Sequence, residues 1–371
     1  MTRPLTIGID ARELLGEATG VGRYLAELLV RWTARDDAAG RRFVLYTPKQ
    51  LPLSFPPGTV DVRVVGAGAG NGTWWEQTHL RRAIGRDSLD VFFAPAYTAP
   101  LSVAVPLAVT IHDISFVAHP EWFRAREGLR RRWLTRRAAH AAHVVFTDSQ
   151  FSRTELEARL RVDSSRIVVI PPGVTGRGTG AREGTAREPV VLFVGSLFNR
   201  RRLPDLIAAF ALASQDLPSA RLLIVGGDRT WPPQDLAAVA AGHGVSSRTE
   251  FRRYAAEQEL MDLYGRAAVF AFLSEYEGFG MTPLEALSAG VPPVVLDTTV
   301  AREVYGDAAV FVARGDIAGT AAALHRLLVE PSSAAPILAA ADAVLGRYSW
   351  DTAADRTLKQ LEQLGERPAR R

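Results

Sequence analysis

The sequence predicts an α/β protein with two doubly wound parallel sheets in tandem, and three observations carry that reading. Short apolar runs rich in Val, Ile and Phe alternate with longer stretches of helical periodicity, as in sheets whose parallel strands are joined by helices. The alternation stops at 175–188, "TGRGTGAREGTARE", which has almost no large apolar side chain and the Gly, Thr and Arg content of a flexible linker. It then resumes. The expected organisation is a first domain over 1–174, a linker over 175–188, a second domain over 189–345 and a closing segment over 346–371.

In the first series the expected strands are "LTIGID" (5–10), "RFVLYT" (42–47), "VDVRVV" (60–65), "VFFAP" (91–95), "AVTIHD" (108–113), "HVVFTDS" (143–149) and "RIVVIPPG" (166–173). In the second they are "PVVLFVG" (189–195), "RLLIVGG" (221–227), "TEFRRY" (249–254), "AVFAFLS" (268–274), "PPVVLD" (292–297) and "AAVFV" (308–312). The stretch "SWDTAADRTLKQLEQL" (349–364) reads as an amphipathic helix bracing one domain against the other. Ligands of such sheets bind at the carboxyl ends of the strands, so the expected site is a cleft between the two domains.

Composition narrows the function. With 371 residues, 47% hydrophobic and 23% charged, the chain matches a soluble globular enzyme of two or three domains. It has no cysteine, which excludes disulfides, thiolate metal sites and a cysteine nucleophile. The N-terminal stretch lacks an apolar run of signal length, and no run of about 18 apolar residues occurs, so the expectation is a cytoplasmic protein. The net charge of +4 rests on arginine: Lys49 and Lys359 are the two lysines among 44 basic residues. Arginine suits phosphorylated ligands, although genome composition yields the same bias.

One dinucleotide-like segment, "VVGAGAGNG" (64–72), fails on register, since Asn71 and Thr73 stand where the third glycine belongs. It reads as a mobile loop. The segment "EYEGFGMTPLE" (275–285) is more informative. It follows a strand, turns at Gly278 and Gly280, and enters a helix capped by Thr282 with Pro283 first, an arrangement that favours an anion. Thr282-x-x-Glu285 is also a capping box, in which Glu285 merely reaches back to the Thr282 amide, and Glu277 alone reads as a solvated loop carboxylate.

The longer segment "EYEGFGMTPLEALSAGVPPVV" resembles the Glu-x7-Glu region of retaining, metal-independent nucleotide-sugar glycosyltransferases of the GT-B fold, which has two Rossmann-like domains facing a deep cleft. The resemblance implies that Glu277 lies by the transferred sugar, that Glu285 accepts hydrogen bonds from the ribose hydroxyls, and that the backbone of Gly278, Phe279, Gly280 and Met281 meets diphosphate and sugar. "IGIDARELLGEATGVGRYLAELL" is similar to the family's opening, where a glycine loop, here Gly20-Val21-Gly22, faces the diphosphate. "VTIHDISFVAHPEWF" and "VVFTDSQFSRTEL" are similar to later N-domain segments, and place His112 near sugar and acceptor. "LFVGSLFNRRRLPDLIAAF" resembles the family's phosphate-binding segment, with Arg200-Arg201 where an Arg-Lys pair is usual. Both are kept as diphosphate ligands; the bland alternative is a solvated basic turn.

No Asp-x-Asp pair and no His/Asp/Glu cluster of metal-ligand spacing occurs, so neither a metal nor another cofactor is expected. About two developing negative charges on the leaving diphosphate then fall to Arg200, Arg201 and oriented amides. The family's usual account is a front-face transfer with retention, in which Glu277 orients the sugar; the expectation is that Glu277→Ala and Arg201→Ala lose transfer activity while staying folded. The implied donor is a nucleotide-diphosphate sugar, with GDP-mannose the best match, and the acceptor a carbohydrate or a lipid-linked glycan in polysaccharide biosynthesis. Phosphorylases of this fold commonly carry a pyridoxal lysine, and neither Lys49 nor Lys359 falls near the expected cleft, which disfavours that alternative and leaves a non-transferring partner as the other. "EWFRAREGLRRRWLTRRAAHAAH" (121–143) reads as a basic amphipathic helix with Trp122, Phe123 and Trp133; it suits peripheral contact with the inner membrane face, while a solvated arginine-rich face is the alternative that composition favours. Nothing resembles a nucleic-acid-binding module.

Overall fold

The computed structural model describes residues 3–16, 20–35, 37, 40–53, 55, 58–176 and 187–366. Each of the thirteen expected strands is present, and the chain divides into two compact units. The first comprises 1–117, 126–173 and 349–371, and the second 118–125 and 174–348. Of the expected linker, residues 177–186 lie outside the described residues.

In the first unit, strands β1 (Leu5–Asp10), β2 (Arg41–Thr47), β3 (Val60–Val64), β4 (Val91–Ala94), β5 (Leu107–Thr110), β6 (Val144–Thr147) and β7 (Ile167–Val169) form a parallel sheet of order 3-2-1-4-5-6-7. The order reverses between β1 and β4. All of β4, β5 and β6 is buried, the mark of strands covered on both faces and the reason they read as unbroken apolar runs. β7 is shorter than expected because Pro171 and Pro172 have no N–H for the ladder.

Helix α1 (Gly20–Thr33) buries Gly22, Tyr24, Leu25, Leu28, Leu29 and Trp32, one face at helical spacing. The expected glycine loop Gly20-Val21-Gly22 is thus the first turn of α1, because the apolar periodicity of the following residues already holds there. The basic segment is also shorter than expected: helix α2 spans Ala125–Ala141, and Pro120–Trp122 is a separate turn in which Trp122 stacks on His119 at 4.0 Å.

In the second unit, β8 (Glu188–Val194), β9 (Arg221–Val225), β10 (Thr249–Arg252), β11 (Ala267–Phe272), β12 (Pro293–Leu296) and β13 (Val310–Val312) form a parallel sheet of order 10-9-8-11-12-13, reversing between β8 and β11. Helix α3 (Leu203–Ala213) follows β8, and α4 (Met281–Ser288) follows β11.

The final helix, α5 (Trp350–Gly365), belongs to the first unit although it follows the second in sequence, while residues 346–348 stay with the second. Ser349 caps it, accepting from the Thr352 amide, and Asp351 in its first turn suits the helix dipole. Its buried side chains include Trp350, Ala353, Ala354, Leu358, Leu361 and Leu364. The Trp32 indole of α1 donates to the Ala354 carbonyl at 2.9 Å, and Arg31 pairs with Asp351 at 2.7 Å.

Candidate active site

The sheet order reverses between β8 and β11, the place at whose strand carboxyl ends such sheets form their ligand crevice. The loop after β8 carries Arg200 and Arg201, and the loop after β11 carries Glu277. The Glu275 amide donates to the Arg200 carbonyl at 2.8 Å, which ties the two loops together. The Glu275 carboxylate is a counter-ion, paired with Arg202 and, at 3.1 Å, with Arg314.

Glu277 accepts from the Ser274 hydroxyl at 2.8 Å and from Arg201 Nε at 3.2 Å, both at Oε1, while its Oε2 lies 3.5 Å from an Arg200 Nη2. All three side chains are largely buried, 12% exposed for Glu277 and Arg201 and 9% for Arg200. Arg201 lies over the Phe272 ring at 4.9 Å, and its Nη1 has no hydrogen-bond partner. Burial lowers the Arg201 pKa from its ordinary value, against the pull of Glu277. Two guanidiniums and one carboxylate in a shared, partly dry crevice leave an excess positive charge and an unspent donor, an arrangement complementary to a multiply charged anion.

Glycines give this crevice its shape. At Gly195, φ is +141° and a built Cβ falls 1.9 Å from Arg201 Nη1, so the guanidinium occupies the space of a side chain. At Gly280, φ is +87° and the Tyr305 hydroxyl, which donates to the Gly280 carbonyl at 2.9 Å, fills the corresponding space. Because Gly280 turns the chain in the left-handed region, Met281 is already helical and Gly280 is the N-cap of α4. The expected capping by Thr282 is therefore corrected: Thr282 lies in the first turn, its hydroxyl is buried without a partner, and Pro283 is the third helical residue. Glu285, 5% exposed, accepts from the Tyr264 hydroxyl at 3.3 Å. Gly278 and Phe279 are buried beside it in sequence, Phe279 with its ring edge-on to Tyr348 at 4.9 Å.

The first unit has its own polar centre at strand carboxyl ends. His112, past β5, sets Nδ1 2.8 Å from Asp148 Oδ2 and Nε2 3.1 Å from the Pro95 carbonyl. An ionised Asp148 and the Pro95 carbonyl both accept, so this setting favours the imidazolium form of the ring. Burial opposes that charge, but Asp148 and the Pro95 carbonyl prevail and raise the His112 pKa above 6.5. Tyr24 meets the ring edge-on at 5.0 Å. A direct contact of His112 Nε2 with a sugar therefore requires exchange of the Pro95 bond. Asp148, 5% exposed, escapes a sequence reading, since its link to His112 depends on β5 and β6 being neighbours.

A second buried network, also invisible in sequence, joins Asp10, Arg12, Glu76 and Thr98 near the reversal of the first sheet. Arg12 lies 2.9 Å from Asp10 Oδ2 and also pairs with Glu76, which accepts from the Thr98 hydroxyl at 2.6 Å. Burial pushes the Asp10 carboxyl up to about 6 despite Arg12. Gly20 and Gly22 lie at the start of α1, where Gly22 is buried.

A cavity of about 410 Å³ opens away from this chemistry at the amino-terminal parts of β8, β9 and β10, lined by Glu188, Arg221, Thr249 and Arg266 among others. There Arg266 pairs with Glu188 at 2.7 Å and Arg252 with Glu250 at 2.6 Å, while Arg221 and Arg248 donate to backbone carbonyls. Among the described residues no group of three or more His, Asp or Glu side chains is arranged to hold a metal ion.

Comparison with known proteins matches residues 18–175 to the glycosyltransferase family 4 model and 181–341 to the glycosyl transferases group 1 model. The chain is 25% identical over 271 residues to O-antigen chain mannosyltransferase B of Escherichia coli, covering 69% of this chain and 70% of that one. It is 31% identical over 280 residues to a D-inositol 3-phosphate glycosyltransferase of Acidothermus cellulolyticus, covering 68% of this chain and 61% of the relative's length. Among solved structures, HepE of Anabaena in complex with UDP and glucose superposes with a TM-score of 0.72 at 20% identity, over 97% of this chain and all (100%) of that one.

Proposed function

This chain belongs to the group 1 nucleotide-sugar glycosyltransferases of the GT-B fold, and on that premise we propose that it transfers a hexose from a nucleotide-diphosphate sugar to a glycan or lipid-linked hydroxyl, with retention and without a metal. The observation that carries the reading is the meeting of Arg200, Arg201 and Glu277 where the second sheet reverses, with an Arg201 donor unspent. A diphosphate supplies the negative charge which that crevice lacks. GDP-mannose is the proposed donor, in keeping with the mannosyltransferase name of the E. coli relative, and the cytoplasm the proposed location.

In this reading the bond from the anomeric carbon to the diphosphate oxygen breaks as the acceptor oxygen bonds to the same face of that carbon. The departing phosphate oxygen takes the acceptor proton. Arg200, Arg201 and the amides from Gly278 to Met281 stabilise the charge as it develops on the leaving group, and need no reorganisation because the loops are already tied. Glu277 holds Arg201 in place and presents its carboxylate to the sugar; Glu285 binds ribose. His112, held by Asp148, offers a positive charge on the acceptor side when protonated.

The test is a thermal-shift titration with GDP, UDP, dTDP and ADP, each in EDTA and in magnesium. Selective stabilisation by one diphosphate in EDTA is the expected result, since a ligand of the folded state raises Tm by mass action. Stabilisation that appears only with magnesium overturns the metal-free assignment, and no shift with any nucleotide overturns donor binding.

A further inference from the structure

We propose that the outer face of α2, together with Trp74, is a docking surface for an anionic lipid bilayer. Helix α2 presents two different faces. Toward its own unit it buries Gly128, Leu134, Thr135, Ala138 and Ala139. Outward it exposes Arg126, Leu129, Arg130, Trp133, Arg136 and Arg137, which recur at the helical spacing of three and four. The outward face is therefore one continuous stripe.

The stripe is both charged and apolar. Within α2, Arg126, Arg130, Arg131, Arg132, Arg136 and Arg137 face a single acid, Glu127, which Arg131 holds at 2.7 Å. Among the described residues, Arg126, Arg132 and Arg136 have no ion-pair partner. In the midst of this charge Leu129 is 62% and Trp133 55% exposed. Trp74, at 72%, adds a second indole: Arg130 donates to the hydroxyl of its neighbour Thr73, which ties the turn that carries Trp74 to the helix. The next residue, Trp75, is fully buried, and its indole donates to the Val65 carbonyl at 2.7 Å. The turn thus places one of two consecutive tryptophans in the core and leaves the other in solvent.

This combination selects the partner. Arginine alone suits any polyanion. Two exposed indoles and a leucine gain nothing on a phosphate backbone, but at a bilayer surface they enter the boundary between headgroups and acyl chains while the guanidiniums meet lipid phosphates. No described helix is long and apolar enough to cross a membrane, so the contact lies in the plane of the surface. It deepens the transfer reading by assigning the acceptor to the lipid-linked class, and rests on that reading for its purpose.

The experiment is flotation of the full chain with vesicles of phosphatidylcholine alone and with vesicles that also contain phosphatidylglycerol, over a range of salt. The expected result is flotation with the anionic vesicles only, weakening as salt rises. Arg126→Gln/Arg136→Gln lowers the partition coefficient roughly 30-fold, at about fivefold for each arginine, and Trp74→Ser/Trp133→Ser lowers it at every salt concentration. Equal flotation with phosphatidylcholine alone, no flotation, or variants that float like the parent overturns the proposal. So does binding to a DNA duplex, but not to vesicles, that the arginine variant loses. Each variant is also checked for the nucleotide-dependent rise in Tm. If that rise is absent from every protein, the donor reading fails and the flotation result still stands on its own.

Discussion

Glu277 has a second task that its sequence context does not disclose. It is the carboxylate that pairs with the two guanidiniums held against it at 3.2 and 3.5 Å, all three groups being about nine-tenths buried. Removing one partner of a buried ion pair costs about 3–5 kcal/mol, because the other charge stays behind undischarged. Glu277 retains some solvent contact, so the low end applies. For a unit of this size about 3 kcal/mol corresponds to a fall in Tm of roughly 6 to 12 °C. Glu277→Ala is therefore expected to lose stability as well as transfer, whereas the sequence alone predicts loss of transfer only. Glu277→Gln, which keeps the Ser274 bond and the volume, falls between. Saturating nucleoside diphosphate restores the missing negative charge, so it raises the Tm of the alanine variant more than that of the parent. Differential scanning calorimetry with and without nucleotide measures both effects. An alanine variant that melts within a degree or so of the parent refutes the counter-ion argument, and a nucleotide shift no larger than the parent's refutes the claim that the diphosphate meets the same two guanidiniums.

Two further outcomes follow from the geometry. Because the His112 pKa in the folded state is raised above 6.5, the stability it contributes is fully present below pH 6.5 and is lost as pH rises through the folded value; the Tm gap between the parent and Asp148→Asn should be wider at acid than at alkaline pH, and the imidazole titration followed by NMR should move down in the variant. Gly195→Ala puts a methyl group where Arg201 Nη1 lies 1.9 Å from the built Cβ and displaces that guanidinium; it should abolish nucleotide stabilisation in the thermal-shift assay while the circular dichroism of the two sheets stays unchanged.

The central strands were legible because they are buried on both faces and read as continuous apolar runs; β1 runs from Leu5 to Asp10 in sequence and structure alike. Their ends drifted where a residue kept its apolar character but left the ladder, as after Thr110 in β5. The site was legible in pieces. Arg200-Arg201 and Glu277 each stand out locally, but their meeting depends on β8 lying beside β11, a neighbour relation that no local pattern encodes. Asp148 and His112 meet through the adjacency of β5 and β6 across 36 residues, and Arg12 meets Glu76 across 64, for the same reason. Thr282-x-x-Glu285 misled in the other direction. The capping pattern is present, but Gly280 turns the chain so early that Thr282 is already inside the helix, and the Glu285 carboxylate bonds to Tyr264.

The return of α5 to the first unit fixes the order in which the protein is completed during synthesis. Residues 174–349 emerge between the first unit's sheet and the helix that covers α1. At roughly 5–20 residues per second the ribosome takes roughly 10–35 s to deliver them. Over that interval Trp32 has no α5 carbonyl to donate to, while the second unit, continuous from 174 to 348 apart from 118–125, already has its complete sheet. The unit whose sheet is made first is thus finished last, and its α1 face stays uncovered until α5 is made.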